Sequence, residues 1–177
     1  MARIPYFNID QASPLIREML SSRQMLNVHR IVAHGGATAE GFMTLGNAIL
    51  RRSDLPAVLR ELVILRVGAL CGSEYEVFQH RRVATQAGVP PEQIEAVLSI
   101  SKGNPSPSIF SPLEQDVLRY TDSVVRDVKA SLPLFEAVAS RLPPQQLVEL
   151  TMTIGFYMLV CRVLENFEVD IEDPAPQ

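Results

Sequence analysis

The sequence is short of the residues that usually announce a chemistry. It has two cysteines, three histidines and no tryptophan, and aromatic residues are 6% of its 177 positions. Two cysteines are too few for a disulfide scaffold of this length. Cys71 and Cys161 both sit in apolar surroundings, the setting of buried, reduced thiols. Positive charge is not in excess: 16 Lys and Arg against 20 Asp and Glu give a formal net charge of −4. That balance offers no broad basic surface to nucleic acid. No hydrophobic signal core follows Met1-Ala2-Arg3-Ile4-Pro5, and the longest apolar stretches are interrupted by Arg66, Glu149 and Arg162. The expectation is a soluble, cytoplasmic protein without membrane or nucleic-acid partners. Strand signals are lacking too.

Helix punctuation is abundant. Ser13-Pro14 reads as an N-cap followed by Pro at the first helical position. Further helices are expected over 27–33, which stops at Gly35-Gly36, and over 38–50. Pro56 to Leu70 is apolar nearly all round, the pattern of a helix that is buried or at a subunit interface. Gly72 makes a turn, and Ser73-Glu74-Tyr75-Glu76 has the form of a capping box opening a helix that ends at Gly88. Shorter patterns follow from Pro90-Pro91 to about Ser99 and from Pro133 to Arg141. Between them, Ser111-Pro112-Leu113-Glu114 caps a helix to Lys129. A long apolar helix runs from Pro143-Pro144 to Phe167. The Ser/Pro/Gly-rich stretch 101–108 reads as a surface loop, and the acidic, Pro-rich tail 170–177 as frayed. One domain is expected over residues 1–177, all-α, with a core motif at 56–88 and a second half at 111–168. A weak internal pseudo-repeat links them: Pro-x-x-Leu-x-Glu-Leu occurs at Pro56 to Leu62 and again at Pro144 to Leu150.

The chemistry concentrates between Glu61 and His80. Glu61 lies on a helix with almost no polar face, where an ionised carboxylate needs a partner: Arg60, Arg66 or a residue of the next helix. Glu76 and His80 are four apart and share a helix face, with Ser73 one turn earlier. Folding the two helices back at Gly72 puts Glu61 and His80 at heights within roughly 5 Å of each other. Carboxylates beside an imidazole raise its pKa, and paired carboxylates raise one of their own, which suits general acid–base work near neutral pH. The competing reading of Glu76 is a helix cap alone. His34, beside Gly35-Gly36, is an extra pocket candidate because glycine lets a ligand approach closely. No metal site is expected, since the doubled Glu-x-x-His pattern of di-iron bundles is missing.

These residues resemble a known family. Arg60-Glu61-Leu62-Val63-Ile64-Leu65-Arg66-Val67, Gly72-Ser73-Glu74-Tyr75-Glu76, His80 and Ala87-Gly88-Val89 are similar to the core of the carboxymuconolactone decarboxylase family, which shares its fold with the alkylhydroperoxidase AhpD. Phe110 to Glu114, Leu147 to Leu150 and Ile154 to Tyr157 extend the likeness. The resemblance implies an AhpD-like fold with a buried antiparallel helix hairpin. It also implies a homo-oligomer (trimer or hexamer, a dimer being the alternative) with sites near subunit contacts.

The peroxidase branch carries Cys-x-x-Cys followed by His. Here those cysteine positions hold Ser73 and Glu76, and Cys71 has no partner close in sequence. The expected activity is therefore a cofactor-free, decarboxylase-like lyase or isomerase acting on a small carboxylated or lactone-type substrate. His80 is the proton donor, positioned by Glu76, Glu61 tunes or relays, and Tyr75, Ser73, Tyr157, His34 and Arg162 bind the substrate. Two alternatives stand beside it: a redox protein using Cys71, and a helical oligomer that binds a ligand without turnover.

Overall fold

In a computed structural model of the chain, residues 1–21, 24–99, 105–106 and 108–172 are described, and among them no strand occurs. The helices are α1 (Pro14–Leu20), α2 (Asn27–Val32), α3 (Ala37–Arg52), α4 (Ala57–Cys71), α5 (Glu74–Gln86), α6 (Pro91–Ser99), α7 (Pro112–Asp127), α8 (Leu132–Ala139) and α9 (Pro144–Phe167), with 3-10 turns at Ile9–Gln11 and Ala33–Gly35. The expected all-α fold is what the chain adopts. Most of the loop expected at 101–108 and the end of the tail, 173–177, lie outside the described residues.

The chain divides into two compact units, Met1–Arg52 with Arg162–Gln177, and Ser53–Cys161. In the first, α1 and α3 close a core of Ala12, Ile16, Leu20, Ala39 and Met43, with Phe42 packed against it. The start of the acidic tail is anchored rather than frayed. Asp170 accepts hydrogen bonds from the Ala2 N–H and the Tyr6 hydroxyl, both at 3.0 Å, and pairs with the N-terminal amine at 2.9 Å. Tail carboxylates satisfy donors at the other end of the chain, which composition alone does not reveal.

The second unit is built around α4. From Glu61 to Gly68 every residue of α4 is buried, and α5, α6 and α7 pack around it. Leu62 and Leu65 join Ala84, Val97, Phe110 and Leu118 in one apolar cluster. Arg66 is buried with them, its guanidinium bidentate on Asp122 at 2.6 and 2.7 Å and its Nη1 donating to the Val97 carbonyl at 3.3 Å. A planar fork matched to a carboxylate and a carbonyl is how a guanidinium is tolerated in a core. Arg66 is thereby committed to α6 and α7, leaving Glu61 to other partners.

Two helix starts differ in a way their sequences do not. At α7, Ser111 and Glu114 form a true capping box: the Ser111 N–H donates to Glu114 Oε2 at 2.7 Å and the Glu114 N–H to Ser111 Oγ at 3.3 Å. At α5 the same Ser-x-x-Glu spelling forms none. Gly72, left-handed at φ 68°, closes α4, and the Ser73 N–H donates back to the Gly68 carbonyl at 2.9 Å. The donor that Glu76 would have capped is already used by the preceding helix end.

The helix α9 is long and apolar enough to cross a membrane by length and composition, with mean hydropathy 1.7 over its most apolar stretch. The charges taken as interruptions, Glu149 and Arg162, stand near the ends of an uncharged run. Half of that stretch is buried within the protein, as in a core helix. Its Glu149 accepts from Ser53 Oγ and the Leu55 N–H, both at 2.8 Å. In the echoed motif, then, Glu149 ties down the chain ahead of α4, a task different from that of Glu61.

Candidate active site

The α4–α5 hairpin brings Glu61, Glu76 and His80 together, as the turn at Gly72 predicts. Glu61 is fully buried. Its Oε1 accepts from Arg60 Nε at 3.1 Å, and its Oε2 lies 2.7 Å from His80 Nδ1. Both carboxylate oxygens are occupied, which makes its burial sustainable. The other face of the imidazole meets the second carboxylate: His80 Nε2 is 3.1 Å from Glu76 Oε1. That contact is close but not aligned as a hydrogen bond, and Glu76 Oε1 is a buried oxygen without a hydrogen-bond partner. The imidazole is thus locked on its Nδ1 side and loosely held on its Nε2 side.

The electrostatics follow from this sandwich. Burial alone pushes His80 down, but the Glu76 charge, then the hydrogen bond and charge of Glu61, outweigh it and raise its pKa above the ordinary 6.5. Burial raises Glu76 above its ordinary 4.5; the Glu61 charge adds to that and the His80 charge partly offsets it. Both groups therefore hold a proton more tightly than they do in free solution. Glu76 makes no cap, so its carboxylate is not tied to the start of α5.

Tyr157 from α9 closes one side, its ring edge-on to His80 with centroids 5.1 Å apart, and Phe156 packs edge-on against it in turn. Burial first, then the Glu76 and Glu61 charges, hold the Tyr157 phenol well above its usual value, so it stays an O–H donor. Ser73 is buried, and its Oγ lacks a well-formed hydrogen bond. Tyr75 is buried on the first turn of α5. The other two candidates belong to the first unit. There the exposed His34 donates from Nε2 to the Pro5 carbonyl at 2.8 Å and stacks edge-on with Phe7. Arg162 is exposed on the last turns of α9, its carbonyl accepting from Asn166 at 2.8 Å. Of the aromatic and methionine candidates, Phe78 is exposed on α5, while Phe42 and Met43 serve the first unit's core.

Two contributors escape a reading by motif. Gly68 lets α5 approach α4: a Cβ there would lie 3.2 Å from Val77 Cγ2 and 3.5 Å from Glu76 Cβ and Cγ. Its small size positions Glu76, and an isolated glycine in an apolar helix is the only hint. The second is Cys161, buried on α9, whose thiol is pushed far above its usual range by Cys71 first and then by burial. A groove of about 800 Å³ in the same unit is lined by Tyr120, Asp127, Lys129, Phe135 and neighbours, and includes none of Glu61, Glu76 and His80.

The profile described as "Carboxymuconolactone decarboxylase family" matches residues 36–121, the span that contains the hairpin. Among solved structures, the alkylhydroperoxidase AhpD core of an uncharacterized peroxidase-related protein from Ralstonia eutropha superposes with a TM-score of 0.82 at 16% identity, covering 97% of this chain and 93% of that one. A peroxidase-related protein from Silicibacter gives 0.75 at 16% identity, covering 97% and 94%. A variant of the debrominase Bmp8 in complex with 2,3,4-tribromopyrrole gives 0.74 at 15% identity, covering 97% and 94%. At such identities the likeness establishes a shared AhpD-like fold. The chain matches no curated protein.

Proposed function

From the premise that residues 36–121 belong to the carboxymuconolactone decarboxylase family, we propose that this protein is a decarboxylase-like lyase working by general acid–base chemistry on a small carboxylated or lactone-type substrate. The family is one of small-molecule-processing enzymes. The observation that carries the finer reading is His80 held between two buried carboxylates, 2.7 Å from Glu61 and 3.1 Å from Glu76. Loss of CO₂ breaks the bond between the carboxyl carbon and its neighbour. The electron pair passes into the adjoining carbonyl as an enolate, and that carbon then needs a proton. His80 Nε2 and Glu76 hold such a proton on the unlocked side of the imidazole, while Glu61 and Arg60 hold the ring in place. Water returns the proton after release.

The test is CO₂ release from a panel of carboxylated lactones by the wild type and by His80→Ala. Turnover by the wild type and none by a folded His80→Ala protein is the expected result. An active, normally folded His80→Ala protein sinks the mechanism. Assembly as a homo-oligomer is part of the same proposal: Val148, Met152 and Leu159 form an exposed apolar stripe on α9 of the kind a second copy covers. Light scattering on the purified chain checks it.

A further inference from the structure

His80, Glu76 and Glu61 handle the proton, but none of them answers the negative charge that builds up on the substrate. Loss of CO₂ beside a carbonyl places that charge on the carbonyl oxygen, and a donor already aimed there is most effective in a site closed to water. The long helix α9 supplies such a donor. Leu150, Ile154, Tyr157 and Cys161 follow one another about a turn apart and form its buried stripe, and of these only Tyr157 carries a hydroxyl. Its ring stands edge-on to His80, centroids 5.1 Å apart, and Phe156 packs edge-on against it at 5.4 Å. A buried phenol ordinarily finds a hydrogen-bond partner. Tyr157 is 3% exposed, yet its hydroxyl makes no hydrogen bond among the described residues. Glu76 Oε1, 3.1 Å from His80 Nε2, is a second buried oxygen without a hydrogen-bond partner. Two unpaired polar groups against one imidazole are arranged for a polar ligand rather than for each other.

We propose that Tyr157 is a catalytic residue whose O–H donates a hydrogen bond to the substrate's carbonyl oxygen as that oxygen becomes an enolate, which restricts the site to carboxylates with a ketone or lactone carbonyl on the neighbouring carbon. This role rests on the lyase reading for its reaction, while the donor itself rests only on where Tyr157 stands. As the bond to the carboxyl carbon breaks, CO₂ leaves, the electron pair forms the C=C bond of the enolate, and the charge settles on the former carbonyl oxygen. The phenol keeps its proton throughout, because burial, then the Glu76 and Glu61 charges, hold it well above its usual range. It therefore steadies the oxyanion without transferring a proton. The enolate carbon next takes the proton held by His80 Nε2 and Glu76, the C=O bond re-forms, and the hydrogen bond from Tyr157 weakens. A neutral donor suits this position. A lysine or arginine there would pair with Glu76 or Glu61 and be lost to the substrate.

The experiment compares the full-length wild type with Tyr157→Phe in two assays. In the first, each protein is titrated with 4-nitrophenolate, a stable oxyanion on a planar conjugated frame, and with nitrobenzene, which lacks the oxyanion. The wild type is expected to bind the anion about tenfold or more tighter than nitrobenzene, and Tyr157→Phe to lose that preference. In the second, both proteins are given carboxylated lactones and 3-oxo acids. Tyr157→Phe is expected to lose about 100-fold in kcat with KM little changed, the mark of an interaction made only in the transition state. Its pH profile is expected to stay that of the wild type, since the proton comes from His80 and Glu76. Equal wild-type affinity for 4-nitrophenolate and nitrobenzene overturns the proposal whether or not the variant folds. So does a folded Tyr157→Phe protein that keeps the preference or the wild-type kcat, and a shifted pH profile overturns it by making Tyr157 a proton donor. A wild type that releases no CO₂ but holds the anion through Tyr157 fails the lyase reading and upholds the donor.

Discussion

His80 Nδ1 lies 2.7 Å from Glu61 Oε2, joining residues 19 apart in sequence across the α4–α5 turn. This contact orients the imidazole and leaves its Nε2 towards Glu76. Replacing Glu61 by Gln keeps the shape and removes the charge. Since the Glu61 hydrogen bond and charge both raise the His80 pKa, the Glu61→Gln protein is expected to titrate its imidazole lower, measured by NMR. A stability loss of about 2 kcal/mol, the value of a charge-assisted hydrogen bond, is expected in urea denaturation. An unmoved His80 titration would falsify the assigned role of Glu61.

The close approach at Gly68 yields a second prediction. A methyl group there meets Val77 Cγ2 at 3.2 Å and the Glu76 stem at 3.5 Å. Gly68→Ala is expected to cost about 1–3 kcal/mol through overpacking, offset in part by better helix propensity. Because the strain falls on the stem of Glu76, turnover is expected to fall more than stability. Equal losses, or none, would show that the spacing does not position the carboxylate.

Stability is expected to decline as pH rises. The folded His80 binds its proton more tightly than the unfolded 6.5, so its contribution is complete below 6.5 and is lost as pH climbs through the raised folded value. Glu76 acts with the same sign, since its folded pKa lies above 4.5 and the unfolded chain gives up that proton first. Melting temperatures from about pH 5 to about pH 9 are expected to fall in the wild type and to flatten in a His80→Gln, Glu76→Gln double variant. A wild-type profile that rises across this window contradicts the assignment.

The two Ser-x-x-Glu sequences make a matched pair. Ser111→Ala removes a working capping box and is expected to cost about 1 kcal/mol. Ser73→Ala removes no cap, because the backbone of α4 already uses the Ser73 N–H. Its capping cost is expected to be near zero. Comparing the two variants by thermal unfolding distinguishes a cap from a sequence that merely spells one.

Chemical identity and local period carried much of the outcome. An apolar run from Leu62 to Leu65 with no polar face implies a helix buried all round, and a glycine after it implies a hairpin. Those facts place Glu61 and His80 at one height, because rise per residue is a property of the backbone alone. Local chemistry also marks Ser111 as a cap and the Gly72 turn as left-handed. Which donor each polar group finds depends on neighbours in space. Only the folded chain commits Arg66 to Asp122 and spends the Ser73 N–H on Gly68 so that Glu76 turns to His80. Periodicity reports which face of a helix is covered, and packing decides by what.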